Sequence, residues 1–170
     1  MLAVGGERLL ELKRNARNVR ALLARGGRIV EDDGYGAIVA VHALWFPAML
    51  AEWFLAPWAG FHALTVPLLA AFLLADALRY WCMLTLRERW TTKVVVLPDA
   101  PLVREGPYRY LSHPIYLAVA VLVVAFPAAF GLFATAVLLG AANLVAVQRR
   151  IRKEERALAA ASRGPSARAA

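Results

Sequence analysis

The sequence predicts an all-α integral membrane protein: about four transmembrane helices in two hairpins, an amphipathic helix before them, a polar linker between them and a helical extension after them. Three observations carry this. Hydrophobic residues make up 61% of the 170 positions and charged ones 19%, where a soluble domain has roughly 45–50% and about 25%. The twenty Lys and Arg fall into three blocks, Arg8 to Arg28, Arg79 to Arg109 and Arg149 to Arg168. Between the blocks run stretches long and apolar enough to cross a bilayer, which takes about 20 residues per helix.

A net charge of +8 spread over a soluble surface would suggest a nucleic-acid partner. Blocks separated by uncharged runs exclude that reading and point to membrane lipids. Cys82, the only cysteine, excludes an internal disulfide framework and a thiolate-rich metal site, and no metal is expected.

Residues 1–33 form the first segment. Within it, Leu9, Leu12, Ala16, Val19 and Leu23 recur at helical spacing between Arg and Lys, up to Gly26-Gly27. Such a helix lies in the membrane interface or packs on the cytoplasmic part, and both readings stay open. No cleavable signal is expected, because charges begin at Glu7.

Residues 34–158 form the membrane domain. From Gly36 to Arg79 the only carboxylates are Glu52 and Asp76, and Pro57 and Gly60 interrupt the run, so crossings are expected over 36–57 and 61–82. Residues 114 to 147 carry no formal charge, and Phe126-Pro127 to Gly131 divide them into crossings over 114–129 and 131–148. Lys and Arg stay on the cytoplasmic side of short loops. The turns at 58–60 and 127–131 have none, so they are the outer ones and both termini are cytoplasmic. A bacterial inner membrane is the expected location. Residues 159–170, rich in Ala, Ser and Arg, read as a disordered tail.

The linker over 83–113 is where function is expected to reside. Thr91 to Leu97 is short and β-branched, Pro98 and Pro101 end regular structure, and Gly106-Pro107 marks a turn. Pro114 suits a first helical turn and leaves His113 at a helix N-terminus, which favours an anionic group. After the last crossing, Arg149, Arg150, Arg152 and Lys153 surround Glu154-Glu155, and Arg150 and Glu154 share a face. These residues make either a basic belt for lipid headgroups or a pair of carboxylates for a cationic ligand.

Leu102-Val103, Gly106-Pro107-Tyr108-Arg109-Tyr110, His113-Pro114, Tyr116, Arg150 and Glu154-Glu155 together resemble the isoprenylcysteine carboxyl methyltransferase family and its phospholipid methyltransferase relatives, over roughly 86–158. More weakly, Arg8 to Arg28, the Tyr35 and His42 region and Glu52 look like the bacterial branch that O-methylates alkylpyrones and alkylresorcinols. The resemblance implies S-adenosylmethionine as cofactor and a lipophilic small-molecule acceptor entering from the bilayer. It places Leu102, Val103, Gly106, Tyr108, His113, Tyr116, Arg150, Glu154 and Glu155 at the cofactor. Where the family has Arg before His-Pro this chain has Ser112, and Arg109 is the nearest cation that could replace it.

Methyl transfer from a sulfonium is an in-line displacement that needs orientation and exclusion of water rather than a metal. The sulfonium loses its charge on reaction, so Glu154 and Glu155 suit the cofactor's ammonium or ribose hydroxyls better than its sulfur. His113 could take a proton from a phenol.

Ionisable residues inside a crossing are functional candidates by default. Glu52 is a catalytic candidate bordering the acceptor cavity, or else lies near the outer boundary within reach of water. Asp76 is expected to pair with Arg79, and His62 to be interfacial. Trp45, Trp53, Trp58, Trp81 and Trp90 read as an aromatic belt. Two other classes compete: a membrane reductase of related helical fold using NADPH, and a non-catalytic descendant of the family.

Overall fold

The structure, a computed structural model, describes residues 2–31, 34–98 and 100–162. Five α-helices run through it: α1 (Leu2–Ala24), α2 (Tyr35–Leu55), α3 (Thr65–Leu86), α4 (Pro114–Ala129) and α5 (Phe133–Ser162). Two compact units divide the chain. One comprises residues 1–33, 86–103 and 152–170, and the other 34–85 and 104–151.

The second unit holds the apolar helices. α2 and α3 are long and apolar enough to cross a membrane, and only 11% and 17% of their most apolar stretches is buried within the chain. Their large side chains instead face outward, among them Phe46, Leu50, Phe54, Leu73, Leu74 and Leu84. Apolar surface on that scale is what a lipid-facing helix shows and a soluble monomer does not. α4 is apolar but shorter, 16 residues, or about 24 Å.

Proline chemistry fixes how α2 meets α4. Pro127 lies inside α4 and has no N–H to give the carbonyl four residues back, that of Val123. The indole Nε1 of Trp45, from the middle of α2, donates to that carbonyl at 3.0 Å. Trp45 is therefore an interhelical pin and not a member of a boundary belt. Trp45→Phe is expected to lower stability by about 1–2 kcal/mol, the upper range for hydrogen bonds between apolar helices, read as the midpoint of thermal unfolding in detergent.

The turns between helices close the ends of α4 and α5. Leu132 N–H bonds back to Pro127 O and Gly131 N–H to Ala128 O, with Gly131 at φ +72°. Across from them, His62 Nε2 meets Ala128 O at 2.8 Å, the Thr65 hydroxyl donates to Ala129 O at 2.7 Å, and Gly60 N–H donates to Phe130 O. Last-turn carbonyls have no partner within a helix, and residues 60–65 supply them. His62 is thus more than interfacial. Because Thr65 Oγ1 also accepts His62 N–H, residues 61–64 form a capping loop, and α3 begins at Thr65 rather than at 61.

The first unit is polar. α1 ends with Gly27 N–H on Leu22 O and Gly26 N–H on Leu23 O, with Gly26 at φ +84°, a glycine-terminated cap of the kind expected at Gly26-Gly27. Asn18, buried on α1, donates to the carbonyls of Arg87 and Trp90, and Asn15 accepts Thr92 N–H. α1 therefore packs on the start of the linker, and Trp90 is core, not belt. Leu12 and Leu23 remain exposed on α1, and the Leu9 side chain lies outside the described part.

The expected β-branched stretch forms one short strand, β2 (Val95–Val96), antiparallel to β1 (Arg28–Ile29), with Arg28 opposite Val96. The C-terminal helix continues to Ser162, past the start of the tail expected at 159. The rest of that expectation, 163–170, lies outside the described residues.

Candidate active site

The second unit holds five of the predicted cofactor residues: Gly106, Tyr108, His113 and Tyr116 before and in the first turn of α4, and Arg150 on α5. Glu105 enters in extended conformation, and Gly106 at φ +53° starts a tight helical turn, Gly106–Arg109. That turn lies on the last turns of α3: a Cβ on Gly106 would sit 2.5 Å from Thr85 Oγ1 and 3.2 Å from Trp81 Nε1. Tyr108 reaches the buried Cys82. Gly106→Ala is expected to lose about 2 kcal/mol, from the left-handed backbone and the clash. Thr85→Ala in the same chain should return part of it, measured by thermal unfolding.

His113 is the residue before Pro114, which opens α4 as the sequence predicts. The His113 carbonyl accepts Tyr116 N–H and Leu117 N–H. The His113 and Tyr116 rings are 5.6 Å apart.

Arg150 arrives from α5. It is 4% exposed, and its Nε donates to the Tyr116 hydroxyl at 2.9 Å. Its guanidinium carbon is 5.6 Å from the centre of the Tyr35 ring and 5.9 Å from that of Tyr116. Gly34, at φ +79°, lets α2 start beside the Arg150 backbone, with its Cβ position 3.8 Å from Arg150 Cβ. A planar guanidinium near two tyrosine rings has the chemistry for paired recognition of an anion such as a carboxylate. The rings beside it offer stacking surfaces for a flat heterocycle.

Arg109 lies three residues before Ser112. Its guanidinium lies over the neighbouring Tyr110 ring, 5.9 Å away, and both residues are exposed, as is Ser112. The cation beside Tyr116 is Arg150.

In the first unit, Leu102 is exposed and Val103 half-buried, just beyond Pro101, whose carbonyl accepts a bond from Arg89. Glu154 is half-buried and Glu155 exposed on the last part of α5.

Glu52 is not brought to the His113 end. Seventeen residues separate it from Tyr35 on α2, about 25 Å. Its carboxylate accepts the N–H groups of Ala134 and Thr135 at 2.9 and 2.7 Å. Glu52 caps the N-terminus of α5. Asp76 pairs with Arg79 at 3.0 Å as its spacing predicts, and His42 bonds to Ile38 O of its own helix.

Sequence reasoning passed over Asn143, buried in α5. Its signal was available: it is the only side-chain amide in the uncharged run over 114–147.

A buried arginine beside two tyrosines, close to a His-Pro helix start, lies among apolar helices long enough to cross a membrane. Residues 68–160 match the isoprenylcysteine carboxyl methyltransferase (ICMT) family, and the chain belongs to that family. It is also similar to the uncharacterized protein YpbQ of Bacillus subtilis (strain 168), 28% identical over 158 residues that cover 89% of this chain and 90% of that protein. No solved structure matches it.

Proposed function

We propose that the protein is an S-adenosylmethionine-dependent O-methyltransferase whose acceptor is a lipophilic molecule drawn from the bilayer. A long-chain alkylpyrone or alkylresorcinol is the first choice and a prenylcysteine-type carboxylate the second. The observation that carries this reading is Arg150, buried between Tyr35 and Tyr116 and bonded to the Tyr116 hydroxyl. In the same reading the chain crosses a bacterial inner membrane four times, with both termini and the three basic blocks in the cytoplasm.

The bound cofactor supplies an electrophilic methyl group on a sulfonium. Arg150 binds the carboxylate of its methionine part, and the His113 and Tyr116 rings line that part. By resemblance to the family, Gly106 and Tyr108 would contact the adenosine. His113 accepts the proton of a hydroxylated acceptor, and the apolar helices keep water from the transfer.

Titration of the purified protein in lipid nanodiscs with S-adenosylmethionine tests the reading, together with transfer of a labelled methyl group to pentadecylresorcinol. Saturable binding with loss in His113→Ala or Glu154→Gln, and label in the resorcinol, is the expected result. Selective binding of NADPH, or no response to either ligand, would overturn it.

A further inference from the structure

α1 has two unlike faces. One is fixed inside the first unit: Asn18, 1% exposed, donates to Arg87 O at 3.0 Å and to Trp90 O at 2.8 Å, Asn15 accepts Thr92 N–H, and Leu22, one turn after Asn18, is buried. Past the helix, Val30 N–H bonds to Val94 O and β1 pairs with β2, so residues 15–30 and 87–96 hold together along their length.

The opposite face is turned outward. Leu12, Ala16 and Leu23, spaced by four and seven residues, form a line along it, and the two leucines are 55% and 41% exposed. Lys13, Arg17 and Arg20 run beside that line, all exposed, and Arg25 and Arg28 continue the charge beyond the helix. From Leu12 to Val30 the sequence holds six cations and no carboxylate. A nucleic-acid backbone would match this charge but offers the leucines no burial. A leaflet of anionic phospholipid matches both, with apolar depth for the leucines just beneath a layer of phosphates, and the Lys and Arg stems can lie along the helix while their heads reach that layer. Such a surface is also at hand: ten residues, 25–34, join α1 to α2, which is long enough to cross a membrane, so the leaflet is presented to α1 at high effective concentration.

We propose that this face of α1 binds the surface of an anionic phospholipid leaflet, Leu12 and Leu23 entering the headgroup layer and Lys13, Arg17 and Arg20 meeting phosphates, while the asparagine face keeps hold of the start of the linker. α1 thereby joins lipid on one side to residues 87–92 on the other, and the strength of the lipid contact is set by lipid charge and by salt. The inference is independent of methyl transfer, since it rests on the two faces of α1 and on the helices able to cross a membrane.

The test uses the full chain carrying Cys82→Ala and Ala16→Cys, labelled at residue 16 with the environment-sensitive fluorophore NBD. Nanodiscs are made of phosphatidylcholine alone or of equal parts phosphatidylcholine and phosphatidylglycerol, each doped with a doxyl lipid that quenches NBD on contact. With phosphatidylglycerol the label should be blue-shifted and quenched at low salt and released by molar salt; with phosphatidylcholine alone the quenching should fall severalfold. The triple variant Lys13→Gln, Arg17→Gln, Arg20→Gln should lower the ratio of bound to free α1 by about a hundredfold, roughly fivefold for each cation. Leu12→Ser with Leu23→Ser should lower it by about tenfold or more. Both sets should melt like wild type in detergent, because they leave Asn15 and Asn18 in place. A label equally wet in the two kinds of disc, or quenching that the triple variant leaves unchanged, overturns the proposal. So does a triple variant that melts well below wild type, which would give these cations a part in holding the fold, and so does stronger protection of the label by RNA in phosphatidylcholine discs than by phosphatidylglycerol, which would assign the face to nucleic acid.

Discussion

Arg150→Gln is expected to weaken S-adenosylmethionine binding by roughly ten- to a hundredfold while the chain still folds. Hydrogen bonds to a charged group contribute about 1.5–3 kcal/mol each, and a 1.4 kcal/mol loss is tenfold in affinity. Glutamine keeps some of the length and one N–H set, so the Tyr116 hydroxyl retains a neighbour. What it lacks is the charge and the flat face held between Tyr35 and Tyr116. Arg150→Lys should fail nearly as badly despite its charge, because an ammonium neither stacks on both rings nor pairs two oxygens. Tyr35→Leu should lie between, removing one cation–ring contact of about 0.5–2 kcal/mol. Isothermal titration in detergent measures all three; equal affinities for wild type and Arg150→Gln would remove Arg150 from the site.

The second large effect is expected at the opposite end of the second unit. Glu52→Ala strips the carboxylate from two backbone N–H groups of α5 and from the positive end of a 30-residue helix. The loss should be about 2–3 kcal/mol, or roughly 5–10 °C in melting temperature for a chain of this size. Glu52→Gln keeps one carbonyl acceptor and should recover about half. S-adenosylmethionine affinity should stay constant in both. A Glu52→Ala chain that melts like wild type but loses turnover would favour the catalytic role over the capping one.

Those two residues show where sequence reasoning works and where it stops. Run length and charge located α2, α3, α4 and the start of α5 because the apolar requirement of a bilayer is a property of composition, legible without any partner. The end of α1 was legible because Gly26-Gly27 is a local device. Glu52 was not, since an acidic residue in an apolar run looks the same whether it meets a ligand or the exposed N–H groups of a helix 82 residues later. Trp45 reads locally as a belt residue because nothing near it in sequence reveals that Pro127 frees a carbonyl 78 residues away. Arg150 beside Tyr116 was foreseen only through family resemblance, and its second aromatic face, Tyr35, depends on the left-handed turn at Gly34.

The proline in α4 has one more consequence. A bare carbonyl in hydrocarbon tolerates very few arrangements of the helices around it, so the Val123 oxygen acts as a notch and the Trp45 indole as the tooth that fits it. Sliding α2 by a single turn would strand both groups in oil at once. The two segments thereby carry their own gauge of vertical alignment, and a defect in one sequence position is felt as a misthreaded pair rather than as a weaker contact.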